Sequence, residues 1–382
     1  MSNNILKINK LPLYWRLSDS HANYNIAPSK LSFNFINCPY TGLIKQKINS
    51  NLKKYLNIIY KQEYNIGYLQ EINTLAVQYG TDFLYYLVKN IEKYKIKSAL
   101  EIGCGGCIIM DNLQKRSLNI TGIDSSPFSK KISKLKNLRV INKFYPNKNF
   151  NEKFDLIYHI DVLEHTFNPV NFLKAHHKNL NENGIIIINI PDASKSIHLG
   201  DISIAMHQHI SYFNNESLKK TLNLAGFKMI SISKSGYGSS LYAVARKINH
   251  FTNNMPLKKI PKIPNEHFFK KSSLSIMKMY DYLFKIISNN ESLGFYVPLR
   301  ALPYISALNL KYSYRFFDDT PHWHNKYFDG INVKIENFSD LVKAPVENLI
   351  ICSLTFDKVI FKKIKKEKSL KIKIIKLQEI IS

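Results

Sequence analysis

Residues 99–110 read ALEIGCGGCIIM, and this stretch admits two interpretations. Cys104 and Cys107 form a CxxC, the spacing of redox dithiols and of half of many zinc sites. The same letters also describe a buried strand, a glycine-rich turn and the start of a helix, and such a turn lets the backbone approach a bound nucleotide. A zinc site needs four ligands, and the other two cysteines, Cys38 and Cys352, belong to no second CxxC. We therefore favour a cofactor-binding turn and predict no metal site and no redox catalysis.

Outward from this turn, short apolar segments alternate with segments of helical spacing. The strand-like segments are 97–102, 119–124, 137–141, 154–160 and 184–190, and the helix-like segments are 81–94, 108–115, 169–180 and 215–227. Strands that alternate with helices at this spacing are typical of a doubly wound, mainly parallel sheet. We therefore predict a Rossmann-like α/β fold.

An acid stands where a cofactor ribose would be held. Asp124 ends the second strand-like segment, about 20 residues after Gly103. A carboxylate at this position accepts charge-assisted hydrogen bonds from both ribose hydroxyls. The turn and the acid together predict a nucleotide-type cofactor.

The chain divides into four parts. Residues 1–75 are a short N-terminal region of mixed pattern, and residues 76–247 are the doubly wound domain. Residues 248–270 are rich in Pro, Asn and Lys and predict a linker, and residues 271–382 predict a smaller C-terminal α/β domain.

The chain is strongly basic, with 54 Lys and Arg against 28 Asp and Glu and a formal net charge of +26. The lysines are spread along the whole chain, and Lys, Asn, Ile and Tyr are abundant together, which is typical of an AT-rich coding bias. We therefore do not predict nucleic-acid binding. The weaker inference is attraction of anionic substrates such as nucleotide phosphates.

The sequence lacks the usual features of secreted and membrane-spanning proteins. Its longest apolar runs, such as 185–188, are far shorter than the roughly 18 residues that span a bilayer. The first residues, MSNNILKINKLPLYWRL, lack the apolar core and cleavage site of a secretory leader. Four cysteines in a chain of 382 residues do not make a disulfide framework. We expect a cytoplasmic protein with no membrane span.

Residues 80–247 resemble the class I S-adenosylmethionine-dependent methyltransferases. Four motifs carry the resemblance, namely EIGCGGC (101–107), FDLIYHIDVLEHTFNP (154–169), GIIIINIPDA (184–193) and HISYFNNESLKKTLNLAGFKMI (209–230). The resemblance implies an enzyme that uses S-adenosylmethionine.

It also implies the residues that hold the cofactor. Glu101, Gly103, Cys104 and Gly105 would border its methionine end, and Asp124 would hold its ribose. His159 or Ile160, at the end of the fourth strand, would line its backbone. Cys107 stands where the family has a third glycine, and we expect this small residue to be tolerated there.

Three residues are candidates for catalysis. His165, in LEHTFNP, would lie at the mouth of the cofactor cleft, and His209, on the loop after the fifth strand, would roof the acceptor site with Tyr212 nearby. A histidine of near-neutral pKa suits removal of an acceptor proton. The alternative is that these residues only order the loops. Asp161 and Glu164 are interpreted as a structural pair at a helix start.

The C-terminal part resembles the second α/β domain of nucleotide-sugar C-methyltransferases. The resemblance rests on 294–302, 316–335 and 349–366. Those enzymes methylate a carbon next to a keto group and carry a HEHxxYF loop, which here reads HQHISYF (207–213). Gln208 replaces the Glu and cannot accept a proton, which leaves oxygen methylation of a sugar open. We interpret the C-terminal domain as structural or sugar-docking.

The sequence thus predicts a methyltransferase that acts on a nucleotide-activated sugar or a surface-glycan precursor, at carbon or oxygen. One alternative is an O-methyltransferase of another small molecule, such as a quinone or a lipid-linked acceptor. Others are a catalytically silent cofactor-binding protein and an RNA methyltransferase, although no RNA-binding appendage is evident.

Cys38 begins CPYTGLI, which resembles half of a zinc module found ahead of some sugar methyltransferases. Thr41 stands where the second cysteine would be, so the N-terminal region predicts either a module that has lost its metal or a lone buried cysteine.

Overall fold

The computed structural model describes residues 5–13, 17–19, 28–60, 74–249, 259 and 265–382. Its strands are β1 (Ile5–Pro12), β2 (Leu17–Ser18), β3 (Lys30–Asn37), β4 (Ile44–Gln46), β5 (Ser98–Ile102), β6 (Asn119–Ile123), β7 (Val140–Ile141), β8 (Phe154–Ile160), β9 (Leu180–Pro191), β10 (Ser211–Tyr212), β11 (Phe227–Lys234), β12 (Ser240–Lys247), β13 (Leu293–Tyr296), β14 (Arg315–Phe317), β15 (Tyr327–Phe328), β16 (Ile335–Glu336), β17 (Asn348–Ile351) and β18 (Lys373–Lys376).

The α-helices are α1 (Ser50–Tyr60), α2 (Thr74–Tyr94), α3 (Ile108–Gln114), α4 (Pro127–Leu135), α5 (Pro169–Asn179), α6 (Ser194–Leu199), α7 (Asn215–Leu224), α8 (His267–Ser288), α9 (Pro298–Leu308), α10 (Phe338–Lys343), α11 (Asp357–Lys366) and α12 (Leu377–Ile381). Short 3-10 helices cover Leu163–His165, Ile202–Ile204 and Pro321–Trp323.

The central sheet has seven strands in the order β11-β12-β9-β8-β5-β6-β7. The strands from β7 to β9 are parallel, whereas β12 runs antiparallel to both β9 and β11. The isoleucines at 185–188 are almost fully buried, because helices cover both faces of a parallel sheet. The strand order reverses between β5 and β8, and this is where ligands of such sheets bind. The predicted Rossmann-like fold is confirmed.

A second parallel sheet forms the C-terminal part, where the sequence predicts a smaller α/β domain. Its five strands run in the order β16-β14-β13-β17-β18, and all neighbouring pairs are parallel. Helix α8 begins at His267, inside the predicted linker of 248–270, so the C-terminal unit starts earlier than the sequence suggests. Residues 250–258 and 260–264 of that predicted linker lie outside the described residues.

The N-terminal strands are built into the rest of the molecule. Strands β1, β3 and β4 form an antiparallel sheet whose fourth strand is β10, from the loop of the doubly wound domain that carries His209. Strand β2 pairs with β15 of the C-terminal part. Phe33 and Phe35 pack in one core with Phe268 and other residues of the C-terminal unit. The described part of the N-terminal region is therefore not a separate module.

A bilayer-spanning helix must be both long and apolar. Among the helices in the described part of the chain, none is long and apolar enough to cross a membrane.

Candidate active site

A cavity of about 910 Å³ opens at the carboxyl ends of β5 and β8. The glycine turn, Asp124, the segment after β8 and His209 all line it. Arg300 and Phe356 of the C-terminal unit also line it. The cavity is therefore bounded by both α/β units.

The glycine turn needs the backbone conformations that glycine adopts most easily. Gly103 has a φ of 72°, and a Cβ on it would lie 2.7 Å from Cγ2 of Val162. Gly105 has a φ of 49°. Cys107 also adopts the left-handed region, with a φ of 59°, which explains why the family has glycine there. Its fully buried side chain packs in the core beneath the turn, so the substitution is accommodated.

The two cysteines of the CxxC are free thiols. Cys104 lines the cavity, whereas Cys107 is buried beneath it. A hydrogen bond with Cys107, together with burial, raises the pKa of the Cys104 thiol well above its usual value. Because redox and metal-binding cysteines act as thiolates, this environment suits neither role.

Asp124 braces the turn from the neighbouring strand. One of its carboxylate oxygens accepts the N–H of Gly105 at 3.0 Å, and the other accepts the N–H of Ser126 at 2.7 Å. Burial raises the pKa of Asp124, and both backbone hydrogen bonds oppose this shift. Its carboxylate retains lone pairs on the cavity side for further donors.

Glu101 lies beneath the turn and lines the cavity. Its carboxylate accepts a hydrogen bond from the hydroxyl of Tyr158 at 2.8 Å. Burial raises the pKa of Glu101 from 4.5 to about 8. Near neutral pH the carboxyl of the ligand-free protein is therefore largely protonated.

Glu101→Gln is expected to change how stability depends on pH. The folded protein retains a proton on Glu101 that the unfolded chain has lost between pH 4.5 and about 8, so wild-type stability falls as the pH rises through this window. Glutamine has no such proton. The free energy of unfolding of the variant, relative to that of the wild type, should therefore rise by roughly 2–4 kcal/mol from about pH 5 to about pH 8.5. Each tenfold difference in proton affinity between the folded and unfolded states corresponds to about 1.4 kcal/mol.

Calorimetric unfolding of the ligand-free protein at both pH values measures this difference. Glu216→Gln, at an exposed position on α7, is the control. Its free energy of unfolding, relative to that of the wild type, should be the same at both pH values. A difference between E101Q and wild type that is equal at both pH values contradicts the assignment.

His159 does not line the cavity, which corrects one of the two alternatives for the cofactor backbone. Its ring is fully buried on the other face of β8, edge-on to Phe172 and His176 at 5.7 Å from each. Successive side chains on a strand point to opposite faces, so the neighbouring Ile160 lines the cavity instead. Burial lowers the pKa of His159 to about 3.

His165 and His209 meet at the cavity wall. Their ring centroids are 4.9 Å apart with an interplanar angle of 82°. Nδ1 of His165 lies 2.8 Å from the carbonyl oxygen of Gln208 and 3.2 Å from the hydroxyl of Tyr60. Burial lowers the pKa of His165 to about 4 and that of His209 well below its usual value, so both imidazoles are neutral at neutral pH.

Tyr212 is predicted at the acceptor site, but it lies behind the cavity wall. It belongs to β10 and packs beside Phe35, with ring centroids 5.3 Å apart. Its hydroxyl accepts the N–H of Met206 at 3.2 Å. Pairing of β10 with the N-terminal sheet turns this side chain inward, so Tyr212 positions the loop that carries His209.

Asp161 and Glu164 are expected from the sequence to be structural, but both line the cavity. Asp161 accepts a hydrogen bond from the hydroxyl of Tyr79 at 2.8 Å, and burial raises its pKa to about 6. Glu164 is 1% exposed, and burial raises its pKa well above the usual value. Their position directly after β8 is the signal that could have found them.

Arg300 is a site residue that sequence reasoning did not assign. It lies on α9, where its side chain is half-buried in the cavity wall, and its charge helps to lower the pKa of His209. Among the described residues its guanidinium makes one hydrogen bond, a 3.4 Å contact to the carbonyl of Ser203. A guanidinium has five donor hydrogens, so most of its donor capacity is open to a ligand in the cavity.

Comparison with known proteins concerns the doubly wound domain. Residues 80–232 match the profile of a family described as "Methyltransferase domain". The chain is 24% identical over 135 residues to the mitochondrial ubiquinone biosynthesis O-methyltransferase of Schizosaccharomyces pombe, covering 33% of this chain and 49% of that protein. It is 30% identical over 128 residues to the ubiquinone biosynthesis O-methyltransferase of Pelagibacter ubique, covering 27% and 50% respectively. The chain thus spans about half the length of these curated relatives.

Solved structures of other proteins are similar to about half of the chain. An S-adenosylmethionine-dependent methyltransferase from Clostridium acetobutylicum has a TM-score of 0.40 at 14% identity, over 52% of this chain and 99% of that one. A protein from Pyrococcus horikoshii has a TM-score of 0.39 at 18% identity, over 51% and 98%.

The family profile covers the glycine turn, Asp124 and the segment after β8 in one continuous stretch. Residues 80–232 are a class I S-adenosylmethionine-dependent methyltransferase domain, and S-adenosylmethionine is its methyl donor.

Proposed function

We propose that the protein methylates an oxygen atom of a small anionic acceptor, bound between the methyltransferase domain and the C-terminal unit. One observation carries the proposal. The cavity lined by the glycine turn and Asp124 is also lined by His165, His209 and Arg300. Cofactor-binding and acceptor-binding groups therefore face one space.

The residues of the turn fit S-adenosylmethionine. The backbone at Gly103 and Gly105 leaves room for its methionine end, and Asp124 is in place to accept the ribose hydroxyls. When bound, this cofactor supplies an electrophilic methyl group on a sulfonium sulfur. The protein must then position the acceptor oxygen and remove its proton.

Oxygen is favoured over carbon as the methylated atom. Gln208 cannot accept a proton, and its amide oxygen is buried with no hydrogen-bond partner among the described residues. The neutral imidazoles of His165 and His209 are the bases that remain at the cavity for a hydroxyl proton. The names of the curated relatives, which are O-methyltransferases, support the same choice.

A nucleotide-activated sugar is the acceptor class that the C-terminal unit favours. Arg300 places a positive charge in the cavity wall, and Arg is well suited to bind phosphate. Tyr237 and Phe356, with ring centroids 5.8 Å apart, add an aromatic surface to the cavity. A second candidate is a hydroxylated ring precursor of a quinone, supported by the names of the relatives.

A methyl-transfer screen tests the proposal. The protein is incubated with S-adenosylmethionine carrying a ¹³C methyl group and with nucleotide-linked mature sugars, nucleotide-linked keto sugars or hydroxylated benzoate rings. NMR then locates the new methyl group. We expect an O-methyl product from a nucleotide-linked sugar. A C-methyl product overturns the choice of oxygen, an O-methylated ring identifies the second candidate, and no transfer to any class supports a silent cofactor-binding protein.

Arg300→Met is expected to weaken binding of the acceptor anion by about tenfold or more, since charged hydrogen bonds contribute roughly 1.5–3 kcal/mol. Calorimetry with inorganic pyrophosphate as the probe measures this, with S-adenosylhomocysteine present. Cofactor affinity should stay near that of the wild type. Arg246→Met, on the exposed end of β12, is the matched control. Equal pyrophosphate affinity in R300M and wild type contradicts the anion site.

A further inference from the structure

Glu164, His165 and His209 form a cluster that the methyl-transfer chemistry above does not fully use. One ligand atom from each lies within 4.8 Å of the other two. Oε1 of Glu164 is 3.6 Å from Nε2 of His165. All three side chains line the cavity, so the cluster is open to a bound acceptor on one side.

Glu164 is the unusual member of this cluster. It is 1% exposed, and neither of its carboxylate oxygens has a hydrogen-bond partner in the described part of the chain. Burying a carboxylate without a donor or a cation is costly. Its position in the cavity wall points to a positively charged partner that enters through the cavity.

His165 is oriented as a metal ligand would be. Its Nδ1 lies 2.8 Å from the carbonyl oxygen of Gln208, which can only accept, so Nδ1 carries the hydrogen. Nε2 then presents its lone pair toward Glu164. Metal-ligating histidines commonly donate their other ring N–H to a carbonyl in this way, which holds the tautomer and the ring orientation.

We propose that Glu164, His165 and His209 bind one divalent metal ion, Zn²⁺ or a first-row ion of similar ligand preference, at the acceptor end of the cavity. Two imidazoles and one carboxylate are the ligand set of several catalytic zinc sites, which keep a further position open for water or substrate. The same set occurs with other first-row metals. The site uses none of the four cysteines of the chain.

The distances suit such an ion after small side-chain movements. With bonds of about 2.0–2.2 Å, ligand atoms around a tetrahedral zinc lie roughly 3.4 Å apart. The Glu164–His165 pair is already at 3.6 Å, and the other pairs of ligand atoms must close by about 1.4 Å at most. Rotation of side chains at the cavity surface supplies such a shift.

The inferred role of the ion rests on the proposed function. With the ion bound, His165 and His209 would act as its ligands and not as bases. An acceptor hydroxyl in the open position would then lose its proton to solvent water more readily, as metal-bound water does. Arg300, whose charge is felt at His209, adds a second positive charge to this end of the cavity. The negative charge of Glu164 would neutralise part of this positive charge, and an anionic acceptor would neutralise more of it. Metal and acceptor should therefore strengthen each other's binding.

Metal titration of the chelator-treated full-length protein tests the site without any acceptor. Co²⁺ is the probe followed by its visible absorption, and Zn²⁺ is measured by competition with a chromophoric chelator. We expect saturation at one equivalent per chain. Glu164→Gln, which keeps the side-chain shape, and His209→Gln should each weaken binding at least tenfold. S-adenosylmethionine affinity and melting temperature show that each variant is folded.

His198→Gln is the matched control, because His198 is exposed on α6 and does not line the cavity. It should bind Co²⁺ and Zn²⁺ as the wild type does. Absence of saturable binding, or equal affinity in E164Q and wild type, overturns the metal site. Transfer to oxygen by metal-free protein would refute the metal role alone. Stoichiometric metal binding without any methyl transfer would refute the proposed function and leave the site standing.

Discussion

Replacing Asp124 with alanine is expected to weaken S-adenosylmethionine binding by roughly 100-fold, because two kinds of interaction are lost together. The carboxylate accepts the N–H of Gly105 and so holds the turn in its binding conformation. It is also the acceptor available to the cofactor ribose. Charged hydrogen bonds contribute roughly 1.5–3 kcal/mol each, and tenfold in affinity is about 1.4 kcal/mol. Titration calorimetry measures the effect.

A milder variant at position 124 and a control variant elsewhere test this assignment. Asp124→Asn keeps one oxygen as an acceptor, so its loss of affinity should be intermediate. Asp111→Asn is the control, because Asp111 pairs with Lys115 on α3 and does not line the cavity. If D124A binds the cofactor as tightly as D111N does, Asp124 is not part of the cofactor site.

Gly200→Ala is expected to destabilise the protein by about 3 kcal/mol. Gly200 ends α6 with a φ of 71°, a conformation that costs other residues roughly 1–2 kcal/mol. A Cβ there would also collide with backbone atoms of Lys271 and Ser272 on α8, which cannot rotate away. Such overpacking adds typically about 1–3 kcal/mol. Urea unfolding of the ligand-free protein measures the change.

Gly238→Ala is the matched comparison for Gly200. Gly238 has a φ of 80°, but its nearest neighbour would be a side-chain atom of Tyr79 at 3.3 Å. This variant therefore meets the backbone strain without a collision and should lose only about 1–2 kcal/mol. Equal losses in the two variants would show that the close approach of α6 and α8 is not what makes Gly200 necessary.

The cofactor end of the site was predictable because its chemistry is local. Gly103, Gly105 and Asp124 follow two neighbouring strands, and the carboxyl ends of parallel strands meet at one edge of the sheet. Their letters and spacing therefore imply their proximity. His159 is the exception. The sequence places its strand correctly, but it does not show which face of the strand packs against α5, and the ring of His159 lies on that face.

The proposed acceptor end of the cavity was predictable only in part. His165 and His209 were identified from their motifs, but the contact between them needs β10 to pair with the N-terminal sheet. The sequence alone suggests that Glu164 belongs to a structural pair at a helix start, because the helix dipole favours a carboxylate there. Only the enclosing cavity wall shows that it is buried and that no described residue donates to it.

The sequence by itself determined the α/β fold, the methyltransferase domain and its cofactor, because hydrophobic periodicity and the glycine turn act over short distances along the chain. The tertiary structure decided which residues share the acceptor space. Arg300 reaches the cavity from the C-terminal unit, and Glu164 meets His209 across a distant loop. Such contacts come from the packing of α8 against α6 and of the N-terminal strands against β10. No local pattern encodes them, since burial and pairing between distant segments exist only once the chain has folded.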